Sequence, residues 1–592
     1  MRARSGEVPG AYAVAIAGRS FAVDVDQWQR GTLETQRQQI DVSEVPGEQS
    51  LNPRDLWRRS QHDWTHGSGQ LWRDREEASP RRFDASRGVD PWERGELTLL
   101  PRAERIDSFS GTVGKAIVAA GRLYVVRGNF LSYWNGSSWS DTSSFSSTIV
   151  DVATDGERVY CATESDGIEA VTSTSDNPAT INDLVADRVA FAKGRLMAAA
   201  GADVYDVSDI TDPDPPDPVS ALVNPDWQWD TFGEGLRFIF AAGHSGDTSM
   251  VYRWGIREDG TRLRAGAQAG RLPDGERVYA MVFYLGLVVL GTSKGVRLGV
   301  EEGEGVQIGP VVETGGPVRD LEPHGRFVWF TWSDPDNGGG PSLGRIDLTR
   351  FLPGQDLVAA WAPDLEAEGV SSGECVSVVT FDDRRVFVVE GEGVFRESTV
   401  PVGEGWVDSG RVAFGLDEEK VFWSFDVHAD SLPVGATVAA EVRVDGSDDP
   451  AGRGSVSSVS DPTLRVRVGG RGEYAQSRVT LSAGGGEAPV VTRWLLRAYG
   501  VPDRSDVVQV PLNLYETVAR FHGGVEHADP EREFDWLKRI ERDGEPVEVQ
   551  ELGRHYWAVI DQIVRGPNLR LSTDGHSLEG PCVVTLRVID DG

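Results

Sequence analysis

Cysteine is nearly missing from this chain, with Cys161, Cys375 and Cys582 the only three among 592 residues. Three distant thiols build neither a disulfide framework nor a cysteine metal cluster. Each lies in or beside an apolar run, the setting of a buried free thiol. Long apolar stretches are lacking too, and none approaches the ~18 residues that cross a bilayer as a helix. Basic residues are the minority, 59 Lys and Arg against 93 Asp and Glu, giving a formal net charge of −34. Double-stranded nucleic acid is therefore a poor partner, because gripping phosphates takes clustered cations. Helical periodicity is scarce as well. Only 530–542 sets Phe534, Leu537 and Ile540 about one helical turn apart, with Trp536 beside them and Gly544 as a stop.

Glycine and tryptophan, by contrast, are plentiful, at 69 and 18 residues. Glycine turns between short apolar runs predict an all-β protein with real cores. The clearest pattern is a recurring unit: glycine or aspartate, often arginine, then a β-branched and aromatic run. Gly121-Arg122-Leu123-Tyr124-Val125-Val126 is the cleanest copy. Others start at Gly156, Gly194, Gly235, Gly286, Gly325 and Asp383. Successive copies lie roughly 36 to 59 residues apart, the spacing of propeller blades. A second run follows many copies through a short turn, as in Gly128-Asn129 or Gly391-Glu392-Gly393, which is hairpin patterning. The expected fold is mainly β and multidomain: a propeller of about seven blades, then a β-sandwich, then a small α+β domain, preceded by an extended N-terminal arm.

Along the chain, residues 1–45 read as an N-terminal β-hairpin and connector. Arg2, Arg4 and the run from Ala11 to Ala17 faintly resemble a signal peptide, but alternation continues in Phe21-Ala22-Val23 beyond a turn at Gly18-Arg19. Residues 46–100 combine Trp57, Trp64, Trp72 and Trp92 with many arginines and few aliphatic residues. Such a stretch cannot build its own core and reads as a docking arm onto a folded neighbour, either the following domain or another subunit. The expected interface is Trp57, Arg58, Arg59, Trp64, Trp72, Arg82, Phe83 and Trp92. Residues 101–404 hold the propeller, 405–500 the sandwich and 501–592 the C-terminal α+β domain.

Chemical motifs are weak. His62 and His66 are four apart, yet Asp63 stands where a zinc hydrolase places its glutamate and Gly67-Ser68-Gly69 ends any helix. Asp334-Pro335-Asp336-Asn337-Gly338 is similar to a calcium loop but has the wrong spacing, and predicts a turn. Gly303-Glu304-Gly305-Val306-Gln307-Ile308-Gly309 lacks the strand–turn–helix setting of a phosphate loop. No G-x-S-x-G elbow is present. Asn135-Gly136-Ser137 fits a glycosylation sequon, meaningful only in a secretory setting. Trp134, Trp139, Trp227, Trp229, Trp332 and Trp361 are candidates for stacking on sugars, with core positions the plainer expectation. Neither a catalytic residue, a metal site nor a cofactor motif is predicted.

One resemblance is specific. Ser50-Leu51-Asn52-Pro53-Arg54-Asp55-Leu56-Trp57-Arg58-Arg59-Ser60-Gln61, then Trp64, Gly67-Ser68-Gly69-Gln70, Asp74-Arg75, Arg82-Phe83 and Gly88-Val89-Asp90-Pro91-Trp92 resemble the N-terminal part of minor tail proteins of long-tailed actinobacterial phages. Phe414 to Phe422, Asp430-Ser431-Leu432-Pro433 and 489–498 are similar to the same family's sandwich, and 507–514 and 547–554 to its closing domain. The resemblance implies a structural virion protein at or near the tail tip or baseplate, assembled in the host cytoplasm. Its implied partners are other tail proteins, further copies of itself and a host cell-wall carbohydrate, without membrane insertion. Two other classes stay open: a propeller glycosidase or lyase, which needs carboxylates clustered at one end of the channel, and a sugar-binding surface lectin.

Overall fold

The computed structural model describes residues 8–9, 12–23, 29–34, 56–74, 78–107, 109, 113–172, 175–222, 224–258, 262–333, 340–416, 419–457, 462–500, 504–519, 525–544, 546–551, 554–567, 569–572 and 575–590. Two compact units emerge, one spanning Leu56–Tyr499 and one made from both chain ends, Met1–Asp55 with Gly500–Gly592.

Seven four-stranded antiparallel sheets form the blades of a propeller in the larger unit. Their inner strands are Ala116–Ala119, Ile149–Thr154, Arg188–Ala192, Gln228–Glu234, Val278–Tyr284, Leu321–His324 and Cys375–Phe381. The repeating sequence unit is the second strand of each blade, such as Arg122–Arg127 or Arg384–Val389. That strand is covered on both faces by neighbouring blades, so it reads as a continuous apolar run: Leu123, Tyr124, Val125 and Val126 are all buried. In three copies the glycine that opens the unit belongs to a two-residue turn with positive φ at both positions: Ala120-Gly121 (45°, 72°), Lys193-Gly194 (53°, 71°) and Leu285-Gly286 (49°, 80°). In blade 7 Asp382-Asp383 takes the same turn (51°, 57°), which explains aspartate in that copy.

The ring is closed by the first strand of the propeller segment. Strand Pro101–Arg105 completes blade 7, pairing Arg105 with Phe395 and Ala103 with Glu397. The widest gap between sequence units falls in blade 6, whose long outer strands are Pro341–Phe351 and Ala359–Glu366.

The sandwich has a five-stranded and a four-stranded sheet. Each borrows an edge strand from the segment expected to be a separate arm. Leu56–Gln61 pairs with Val490–Gly500, setting Trp57 opposite Ala498. Ala85–Arg87 pairs with Glu404–Asp408. Residues 56–100 are thus built into the larger unit. An isolated strand pair is at best marginal in water, so these short strands gain their stability from the sheets they join.

In the smaller unit the N-terminal hairpin and the C-terminal segment are one body. Tyr12–Ile16 and Arg19–Val23 turn at Ala17-Gly18 (46°, 79°). They pair with Val547–Glu551 and Arg504–Leu514 respectively. Arg554–Arg565 and Leu578–Asp590 complete a circuit of six antiparallel strands that closes on itself. Its inward residues, among them Val14, Ile16, Phe21, Val510, Val549, Ile560 and Val584, form one core. Helix Pro530–Asp543 covers it: Asp529 caps the start by accepting from the Glu531 and Arg532 amides, Gly544 at φ 65° ends it, and Leu537 is fully buried. Truncating Leu537→Ala is expected to cost the smaller unit about 2–5 kcal/mol, read as an earlier urea transition for that unit with the transition of the larger unit unchanged.

Candidate functional site

Seven of the eight residues expected at an interface are packed against the chain's own sandwich and propeller, and Arg58 is not. Trp57, Trp64, Phe83 and Trp92 are each 3% exposed or less. Trp57 packs on Phe414 at 5.7 Å between ring centroids. Trp72 is half-buried, edge-on to Tyr474 at 5.3 Å. Arg59 donates through Nε to Asp74 Oδ1 at 2.7 Å, while Asp74 Oδ2 accepts from the Ala413 and Phe414 amides at 2.6 and 2.7 Å. Arg82 donates through Nε to the Ser68 carbonyl at 2.8 Å. Arg58 alone faces solvent. Of the two neighbours expected for this segment, the following part of the chain takes the buried aromatics, so their area is not open to another subunit. The neighbouring Arg73 is buried against Trp494 and donates to Gln61 Oε1 and the Ser60 and Pro80 carbonyls at 2.8–2.9 Å. Burial pulls its pKa down to about 10, so it stays charged at neutral pH.

A buried cation anchors this segment to blade 6. Arg345 lies within 5.6 Å of the ring centroids of Trp92, Phe327 and Trp329. It pairs with Asp364 at 2.5 Å and Asp90 at 3.1 Å. Burial opposes its charge, but the two carboxylates outweigh that and hold its pKa above the ordinary range. Nearby, Gly67 sits so close to blade 6 that a Cβ there would lie 2.1 Å from the Trp361 carbonyl oxygen.

The other motifs are placed as follows. His66 Nδ1 lies 2.8 Å from Ser79 Oγ, and His62 is exposed. Among the described residues no group of three metal-ligating side chains converges. Residues 334–338 lie outside the described residues. Trp227, Trp229, Trp332 and Trp361 are buried in blades, and Trp134 and Trp139 are half-buried against each other.

One concave feature is the mouth of the propeller channel, a cavity of about 570 Å³. Charged residues at or beside the start of the inner strands link one blade to the next around it. Lys115 donates to Asp151 Oδ1 at 3.0 Å, and Asp151 Oδ2 accepts from the Val189 amide at 3.0 Å. Arg188 donates to the Asp230 carbonyl at 3.1 Å, and Arg277 Nε to Asp230 Oδ1 at 3.0 Å. Arg277 and Arg319 share the Tyr279 ring. Asp320 Oδ2 accepts from Ser377 Oγ at 2.8 Å, and Ser377 Oγ accepts from the Ala116 amide at 3.1 Å, returning to blade 1. Burial raises the Asp320 pKa, with Lys115 pulling the other way. The sequence carried a signal for this ring: Lys115 and Asp151 are 36 apart, Arg188 and Asp230 42, the period of the repeats.

No protein-family model and no curated protein matches this chain. Solved structures do match. The computationally designed Ika8 protein is 12% identical, covering 50% of this chain and 99% of its own, at a TM-score of 0.35. The WD40 β-propeller domain of Doa1 is 11% identical, covering 50% and 96%, at 0.37. The extracellular domain of the putative one-component system BT4673 of B. thetaiotaomicron is 10% identical, covering 57% and 44%, at 0.36. At such identities and scores these matches add nothing beyond the blade architecture described above.

Two substitutions test the energetics. Arg345→Ala strands Asp364 and Asp90 and is expected to cost about 3–5 kcal/mol, seen as an earlier denaturant midpoint of the larger unit. Glu322, on the inner strand of blade 6, accepts from the Thr380 amide at 2.9 Å. Burial raises its pKa from 4.5 to about 7 against that hydrogen bond. The folded state therefore binds the extra proton, and this group's stabilisation fades as pH rises from about 4.5 to about 7. Glu322→Gln keeps the acceptor and removes the titration. Its melting temperature is expected to exceed the wild type's by about 1–3 °C near pH 8, the gap closing by about pH 4.5.

Proposed function

We propose that this chain is a structural protein of a phage tail, at or near the tip or baseplate, which assembles with other tail proteins and touches the host surface. The observation that carries the reading is the run from Ser50 to Trp92 with its spaced Trp, Gly-Ser-Gly-Gln and Asp-Pro-Trp signatures, whose resemblance is to tail proteins. The build of the larger unit supports it. Two β bodies are riveted through Arg345 and the Trp92 contact into a stiff frame, and stiffness is what a part that bears load and displays loops requires. The channel charges support it as well, because they are spent largely on one another between blades.

A carbohydrate-active enzyme would draw on Asp151, Asp230 and Asp320 at the channel mouth. Asp320→Asn separates the two: a scaffold keeps its assembly, while a hydrolase loses turnover. Immunogold electron microscopy on particles from the source culture tests the main reading. Label at the distal end of the tail is expected. Intact and denatured particles both free of the protein, on grids and blots, would remove it.

A further inference from the structure

The four-stranded sheet of the sandwich turns one face away from the core, and that face reverses the charge of the chain. Buried Leu464, Val466 and Val468 alternate with outward Arg465 and Arg467 on one strand; buried Trp494, Leu496 and Ala498 alternate with outward Arg493 and Arg497 on another. Arg471 opposes Val421, and Arg58 opposes Arg497 across the edge pair. Six guanidiniums thus share one sheet face on a protein of net charge −34.

Carboxylates on this face are few. Asp426, fully buried, serves both Arg465 (3.2 Å) and Arg497 (2.6 Å), and Glu419 pairs with Arg471. Among the described residues, no carboxylate lies within ion-pair distance of Arg58, Arg467 or Arg493. On the five-stranded sheet Arg478 pairs with Asp408 and Arg443 with Glu441, and among the described residues Arg453 alone of its strand arginines lacks a carboxylate. His428 reports the local field, its pKa lowered first by burial and then by Arg493, Arg497 and Arg465.

Aromatic rings lie among these cations. A register shift between Phe422 and Ser424 turns Trp423 outward beside Ser424. Trp423 is 43% exposed and Tyr499 38%. The two rings meet edge-on at 6.2 Å, and the Arg467 guanidinium lies 5.1 Å from the Trp423 centroid. Outward side chains two apart on a strand, such as Arg465 and Arg467, stand about 7 Å apart. The surface is a sheet face rather than a pocket, which suits an extended ligand.

We propose that this face binds an anionic polysaccharide, with sugar rings stacked on Trp423 and Tyr499 and carboxylate or phosphate groups held by Arg467, Arg493 and Arg58. Arginine forks match such oxyanions in a bidentate way, and aromatic faces match the apolar faces of sugars. A nucleic acid, with a charge on every residue, is opposed by the field of the whole acidic chain. A glycan with about one charge per repeat meets less repulsion and uses the rings. The inference rests on the reading above for its biological setting and gives it a ligand class, while its test needs no virion.

The test is isothermal titration of the full chain with hyaluronate, which carries one carboxylate per disaccharide, neutral dextran and an oligothymidylate. Hyaluronate is expected to bind, more weakly as salt rises, and dextran not. Arg467→Gln with Arg493→Gln is expected to weaken binding at least tenfold, Trp423→Ala likewise, and Arg453→Gln on the other sheet to leave it unchanged. Circular dichroism and melting temperature check that each variant is folded. Any of four results overturns the proposal: no binding at low salt, binding indifferent to the arginine pair, equal or tighter binding of the oligothymidylate, or a self-association that the arginine pair abolishes in the absence of glycan binding.

Discussion

The pairing of Pro101–Arg105 with Gly393–Pro401 is the contact on which the larger unit depends. A ring of blades has two loose ends, and a sheet edge left open exposes a row of unpaired amides and carbonyls. Bringing the first propeller strand to the last blade removes that edge and ties residues about 300 positions apart into one sheet. The same constraint shapes the smaller unit, where Arg504–Leu514 pairs with both Arg19–Val23 and Leu578–Asp590 so that the strands return on themselves. In both units distant parts of the chain share a sheet, so neither can be cut at a loop without opening an edge.

Charge is managed locally. Most buried carboxylates have an arginine or an amide aimed at them, as Asp74, Asp230 and Asp364 do. Pairing of this kind adds little net stability, yet removing one partner is expensive, because an uncompensated charge is left behind in a poor solvent. It therefore acts chiefly on specificity. Asp90 and Trp92 converge on Arg345 in one way only, and the joint between blade 6 and the sandwich follows from it. Against this background of matched charge, the four-stranded sheet's outer face is the exception.

Local patterns were legible along the sequence. The glycine before most of the apolar runs marked a turn with positive φ, and the run itself was continuous because both faces of a second strand are covered. The N-terminal hairpin was readable with its turn one residue late, at Gly18-Arg19 rather than Ala17-Gly18, and the helix with Gly544 at its end was readable too, since caps and turns are set by neighbours in sequence. Residues 46–100 were harder. Their tryptophans announced that they must be buried somewhere, but composition does not say against what. Trp57 opposite Ala498, Trp92 on Phe327 and Arg73 on Trp494 are contacts across hundreds of residues.

The amino-acid order alone determined the all-β class, the blade period and the need of the tryptophan-rich segment for a covering surface, because hydrophobic spacing and turn chemistry act over a few residues. Tertiary structure decided which surface covered it, that the two chain ends form one closed body, and where charge is left unmatched. Those outcomes depend on which strands become neighbours. The six arginines of the four-stranded sheet's outer face lie on three strands, one of them about 400 residues from the others, so only strand pairing, with its two-residue alternation of faces, sets them on one side of a sheet beside Trp423 and Tyr499.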